Sequence, residues 1–144
     1  MFSPKQAPSF SPGAVVGTLH SASSLSRGLE LRKNALHFLE LRVDAFVSAG
    51  ADLDALEADV RRLKPPLIVT VRHPREGGAG SLSVAQRRAL FERFLPYAAL
   101  VDVELRSAEA LADVIARAKA GGAGVILSFH DFRKTPPVSR LETL

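Results

Sequence analysis

The sequence predicts an α/β domain built on a parallel sheet. Five short apolar runs alternate with four amphipathic stretches, from a first strand through to a fifth. Such alternation with short loops implies parallel strands joined by right-handed crossovers. Four of the runs also end in polar groups: Glu40-Leu41-Arg42-Val43-Asp44, Thr70-Val71-Arg72, Asp102-Val103-Glu104 and Ser128-Phe129-His130. Charged side chains at the C-terminal ends of successive parallel strands mark α/β active sites.

Each element has its own signal. Residues 1–12 carry Pro4, Pro8 and Pro12 among serines and read as a flexible tail, leaving 13–144 as the domain. Ala14 to Leu19 is a Val-rich strand, and Ser23 to Arg32 a helix that closes near Lys33-Asn34. His37 to Val43 is the second strand. From Ala51 to Leu63, the residues Leu53, Leu56, Val60 and Leu63 recur at helical spacing, until Pro65-Pro66 stops the helix. Leu67 to Val71 is the third strand, and Glu76-Gly77-Gly78-Ala79-Gly80 is a loop. Ser83 and Gln86 have capping-box spacing ahead of a helix bearing Leu90, Phe91 and Phe94. Leu100 to Leu105 is the fourth strand. Ser107 is expected to cap the next helix, which carries Leu111, Val114, Ile115 and Ala118 and ends at Gly121-Gly122. Gly124 to Phe129 is the fifth strand.

Composition narrows the function classes. With 47% apolar and 24% charged residues, the chain is in the globular range, and its 144 residues suffice for one core. No apolar run approaches the roughly 20 residues of a membrane span, and the start has no secretory pattern. The lack of cysteine excludes disulfides, thiolate catalysis and thiolate-bound metal, and fits a cytoplasmic protein. The net charge of +4 comes mostly from arginines dispersed over helices, Arg61, Arg62, Arg87, Arg88, Arg93 and Arg117 among them, and reads as solvated surface. Nucleic-acid binding is not expected, because the chain has neither a basic stripe nor stacking aromatics, with no tryptophan and one tyrosine.

Strand alternation sorts the polar groups. Leu39, Leu41 and Val43 share one face, while Glu40, Arg42 and Asp44 share the other. Asp102 and Glu104 lie together, as do Thr70 and Arg72, and Ser128 and His130. The apolar face suits helices, and the polar face suits a cavity in which the charges pair with one another or with a ligand. Whether the sheet closes or stays open stays undecided by the pattern. His130 is the best general acid/base candidate, since imidazole both takes and returns a proton near neutral pH. Glu76 or Glu104 is placed to orient it. His37 reads as structural, and His20 and His73 stay open between loop and cavity roles.

These motifs together resemble type I 3-dehydroquinate dehydratase. The carrying pieces are Glu40-Leu41-Arg42-Val43-Asp44, Val69-Thr70-Val71-Arg72 running to Glu76-Gly77-Gly78, Val101-Asp102-Val103-Glu104-Leu105, and Ser128-Phe129-His130-Asp131-Phe132 running to Lys134-Thr135-Pro136. The resemblance implies (β/α) units of a TIM-type barrel and conversion of 3-dehydroquinate to 3-dehydroshikimate and water. It implies no metal or organic cofactor: a lysine forms a Schiff base with the substrate ketone, and a histidine moves the proton. His130 is then the general base, Glu76 its positioning carboxylate, and Glu40, Arg42 and Arg72 the residues that hold substrate.

The resemblance also sets an expectation of incompleteness. The family's Schiff-base lysine lies on a sixth strand, beyond the five here, and Lys5, Lys33, Lys64, Lys119 and Lys134 do not match it. The expected chain is a barrel truncated after about five strands, holding the proton-transfer half of the site. Five strands do not close such a barrel, so association with a second copy or with a complementary chain is expected. Two other readings stay open: a remnant that binds a shikimate-like ligand without turnover, and a different lyase or aldolase on the same half-barrel.

Overall fold

The computed structural model describes residues 12–143, so the expected tail over 1–12 lies outside the described residues apart from Pro12. Five strands, β1 (Val16–Leu19), β2 (Phe38–Arg42), β3 (Leu67–Thr70), β4 (Ala98–Glu104) and β5 (Gly124–Ser128), form one sheet in sequence order. Every neighbouring pair is parallel. The α/β expectation is met, and each strand is the expected one with shifted ends: β1, β2, β3 and β5 are shorter than expected, and β4 starts two residues earlier, at Ala98. Among the described residues β1 and β5 each have a single sheet neighbour.

Among the described residues six α-helices accompany the strands: α1 (Ala22–Glu30), α2 (Val43–Ser48), α3 (Leu53–Val60), α4 (Val84–Phe94), α5 (Ala112–Ala120) and the short α6 (Val138–Leu141). Local chemistry fixes their starts. Ser21 and Ser24 form a reciprocal capping box at α1, Asp52 caps α3, and Ser83 with Gln86 forms the expected box at α4.

Two expectations need correction. The alternation through Val43 and Asp44 reads as strand, yet the chain turns into α2 at Val43, because Val43 and Phe46 both bury against the core at a spacing of three. Ser107 does not cap a helix. It is buried in a 3₁₀ turn (Leu105–Ser107), its hydroxyl accepts a hydrogen bond from Arg87, and α5 begins only at Ala112.

The main core lies between the sheet and its helices. Leu39, Leu41, Val69, Val71, Val101 and Val103 are all buried on that side. Leu56 and Val60 of α3, Phe91 and Phe94 of α4, and Val114 and Ala118 of α5 complete it. Burying a side chain of this size contributes about 1.5–3 kcal/mol, so this layer holds the sheet. The other face is layered along the strands. Phe38, Ile68 and Leu100 pack with Ile126 toward the N-terminal ends. Polar residues then take over toward the C-terminal ends. No helix among the described residues is long and apolar enough to cross a membrane.

Candidate active site

Each polar strand end meets its neighbour across the sheet. Arg72, just past β3, is buried and reaches toward both adjoining strands. Its Nη2 donates to Asp102 Oδ2 at 2.9 Å, and its Nη1 to Ser128 Oγ at 2.9 Å and Glu104 Oε1 at 3.3 Å. Glu40 of β2 lies 3.6 Å from the same guanidinium and accepts from the Thr18 hydroxyl. A single cation thus gathers carboxylates from β2 and β4 and the hydroxyl of β5. Three acids so close together are tolerable only around a forked, permanently charged donor.

Arg42 is held by a second fork. Its Nε and Nη2 donate to the two oxygens of Asp44 at 3.0 and 2.8 Å, and Nη2 also reaches the Gly77 carbonyl at 3.0 Å. Asp44 therefore joins the strand residue from the first turn of α2. It is buried and also accepts from the backbone N–H groups of Arg72 and Ala79. Burial raises the Asp44 carboxyl, but the Arg42 guanidinium and those two amides outweigh it, and the group sits below its ordinary value. Asp44 thereby fastens the Gly77 to Gly80 loop to the end of β3.

His130 follows β5 with about a third of its side chain exposed. Its ring Nδ1 lies 3.0 Å from Glu76 Oε2, and its backbone N–H donates to the same oxygen at 3.0 Å. A carboxylate can only accept, so in this contact Nδ1 carries a proton, and in the neutral ring Nε2 is then the acceptor. Glu76 is buried at the end of a 3₁₀ turn (Pro74–Glu76), and Gly77 leaves that turn in the left-handed region at φ 83°. Of the two carboxylates that stayed open for His130, the structure selects Glu76. Glu104 is engaged elsewhere: Oε1 accepts from the His73 N–H at 2.8 Å, and Oε2 meets Arg87 at 2.5 Å.

All five expected site residues, His130, Glu76, Glu40, Arg42 and Arg72, lie at the C-terminal ends of the strands. Glu40, Arg72 and the β5 hydroxyl form one connected network, Arg42 joins it through Asp44, and His130 with Glu76 forms an adjoining dyad. His20 is exposed after β1. His37 accepts the Val15 N–H at 2.9 Å, a structural contact at the other end of the sheet. His73 caps the 3₁₀ turn through Nδ1, with its imidazole pushed below its ordinary value by burial and then by Arg87 and Arg106.

Sequence reasoning missed Arg87. It reads as solvated surface with the other helix arginines, but it is fully buried, bound to Val71 O, Ser107 Oγ and Glu104. The signal was present: Arg87 stands three residues before Leu90 and four before Phe91, on the apolar stripe of α4. Thr18 and Arg106 were also missed as neighbours of the site. An apolar cleft at the opposite end of the sheet, lined by Val60, Leu67, Leu95, Tyr97 and Ala123, has Glu92 and Arg117 paired with each other at its edge.

The family model for type I 3-dehydroquinase matches residues 15–144. This chain belongs to the type I 3-dehydroquinase family. Among its relatives, the 3-dehydroquinate dehydratase of Pyrococcus abyssi is 35% identical over 132 residues, covering 90% of this chain and 59% of the relative. That of Methanocella arvoryzae is 33% identical over 125 residues, covering 87% and 54%. Solved structures agree. The type I 3-dehydroquinate dehydratase of Clostridium difficile with covalently modified comenic acid superposes with a TM-score of 0.78 at 25% identity, over 90% of this chain and 55% of that one. The Aquifex aeolicus enzyme gives 0.73 at 28% identity, over 90% and 58%. The chain spans a little over half the length of those relatives, and its α/β sheet corresponds to part of their barrel.

Proposed function

We propose that the chain carries the proton-transfer and substrate-orienting part of a 3-dehydroquinate dehydratase site, a carbon–oxygen lyase of the shikimate pathway. The observation that supports this most is the His130 dyad: a buried Glu76 pins one ring nitrogen of a partly exposed imidazole, two residues past the Ser128 that the Arg72 network holds. In this reading Nε2 of His130 takes the proton beside the substrate ketone and returns it to the departing hydroxyl as water leaves. General acid/base placement of this kind contributes about 10² to 10⁴-fold. Glu40, Arg42 and Arg72 orient the substrate's oxygens. A cytoplasmic location goes with this reading of a biosynthetic enzyme.

The electron sink of such a step is an amine that condenses with the ketone. The described lysines, Lys33, Lys64, Lys119 and Lys134, are all exposed. Lys33, Lys64 and Lys119 precede the N-terminal ends of β2, β3 and β5, away from the dyad. That placement favours a second reading, ligand binding without covalent turnover by this chain's own residues. That β1 and β5 each have a single sheet neighbour among the described residues supports their pairing with a second copy or with a chain that supplies further strands.

Borohydride trapping with 3-dehydroquinate, followed by mass spectrometry, separates the two readings. A reduced adduct on a lysine supports catalysis, and binding without an adduct supports the second. In the catalytically competent protein, His130→Ala should abolish turnover and leave affinity for 3-dehydroquinate within about twofold, because a base adds rate rather than ground-state binding. Equal loss of rate and affinity would remove the proton-transfer role.

A further inference from the structure

Glu76 uses its two oxygens unequally. Oε2 receives both the ring and the backbone N–H of His130. Oε1 is buried and makes no hydrogen bond among the described residues; it meets Arg106 Nε as an ion pair at 2.8 Å. A buried anionic oxygen with no counter-charge is costly, so Arg106 is what makes the present pose of Glu76 tenable.

Arg106 is well placed for this. It sits in the 3₁₀ turn directly after β4, between two buried residues, Glu104 and Ser107. Both are held by the same buried Arg87. The backbone carrying Arg106 is therefore clamped on either side, while its side chain, 42% exposed, extends in from the solvent edge. An ion pair with so exposed a partner contributes little to global stability. What it changes is the direction in which the carboxylate points.

We propose that Arg106 is a positioning residue for the His130 base: by holding Glu76 Oε1 it aims Oε2 at Nδ1 and keeps the imidazole in the tautomer with Nε2 free. This rests on the reading of His130 and Glu76 as an acid/base dyad. Without Arg106, Oε1 turns toward water, Oε2 tilts away from the ring, and the imidazole loses the partner that selects its tautomer. The role is an indirect one, since Arg106 touches the carboxylate and not the base.

The test reads the ring itself. Long-range proton–nitrogen NMR on the ¹⁵N-labelled chain should show His130 as the Nδ1-protonated tautomer in the native protein. Arg106→Gln should give a mixed tautomer pattern, and Arg106→Lys, which keeps a donor cation, should restore much of the native one. If Arg106→Gln does not fold, Arg106→Met, which keeps the aliphatic stem, takes its place. In the catalytically competent protein the same variant should lower kcat about tenfold, a partial loss of the base's contribution, with KM within about twofold. An unchanged ring pattern, or a KM rise with kcat intact, overturns the proposal for Arg106. Failure of the dyad reading looks different: Glu76→Gln would then leave the His130 ring pattern as it was.

Discussion

Arg87 Nη2 stands 2.5 Å from Glu104 Oε2, and both side chains are withdrawn from solvent. The same guanidinium donates to the Val71 carbonyl and to Ser107 Oγ, both at 2.9 Å. One side chain of α4 therefore ties together the end of β3, the end of β4 and the turn behind β4. Glu104 in turn faces Arg72 with its other oxygen. Burial raises the Glu104 carboxyl, but the His73 N–H and the Arg87 guanidinium overcome it and hold the group below its ordinary value. An arginine on the helix side thus sets the charge on the cavity side.

Arg87→Met should cost roughly 3–5 kcal/mol, because it leaves Glu104 buried without its principal counter-charge. Urea unfolding measures it. Adding Glu104→Gln should recover part of the loss, since a buried pair replaced as a unit is far less costly than a pair broken in half. A single-variant loss below about 1 kcal/mol would mean that the pair is not what organises these strand ends.

The two loop glycines should behave differently. A Cβ on Gly78 would come within 2.3 Å of the Arg72 carbonyl oxygen and 2.8 Å of His73 backbone atoms, none of which can swing aside. Gly78→Ala should therefore displace the loop that serves Asp44 and Arg42, lowering both stability and affinity for 3-dehydroquinate. At Gly77 the φ of 83° costs an alanine about 1–2 kcal/mol, but the atom it would meet is the flexible, exposed ring of Phe132 at 2.9 Å. Gly77→Ala should be a milder version of the same defect. Comparable melting points for the two variants would contradict the backbone clash at Gly78.

The strands and most helices were legible because their signals are local: alternation at β2 and β4, capping boxes at Ser83, paired prolines at 65 and 66. The even-face placement of Glu40, Arg42, Asp102 and His130 followed from a period of two, which parallel pairing then brings to one end. What stayed hidden depends on non-local geometry. Asp44 reads as one more strand residue until the core takes Phe46 and turns the chain into α2. Arg87 resembles any helix arginine until Glu104, 17 residues on, is brought against it. The choice between Glu76 and Glu104 as partner of His130 needed the 3₁₀ turn, which no periodicity announces.

Acidification should lower stability in two stages. His73 sits below its ordinary 6.5 when folded, so the unfolded chain binds its proton first. The contribution is complete above 6.5 and is lost as pH falls below it. Asp44 and Glu104 are likewise depressed, from 3.8 and 4.5, so their contributions are complete above those values and disappear as pH falls through the lower folded-state ones. Urea midpoints followed from about pH 8 down to about pH 3 should show both stages. His73→Asn, whose amide oxygen still accepts the Arg75 N–H, should erase only the upper one, and Asp44→Asn should blunt the lower. A profile flat down to about pH 4 would contradict the His73 assignment.

On the proposed reading Arg72 serves both binding and folding, and its variants should show both. Arg72→Ala takes the shared cation from Glu40 and Asp102 and leaves Glu104 with Arg87 alone. Those acids then repel one another and any substrate carboxylate. Affinity for 3-dehydroquinate should drop by more than about tenfold, as truncating one member of a buried charge cluster commonly does, and the melting temperature should fall with it. Arg72→Lys keeps the charge but not the fork that reaches Asp102 and Ser128 at once, so it should be intermediate in both respects. Calorimetric titration beside thermal unfolding checks the pair of effects. Lysine matching arginine in affinity would show that charge alone suffices, and that the two-strand geometry around Arg72 is not needed for binding.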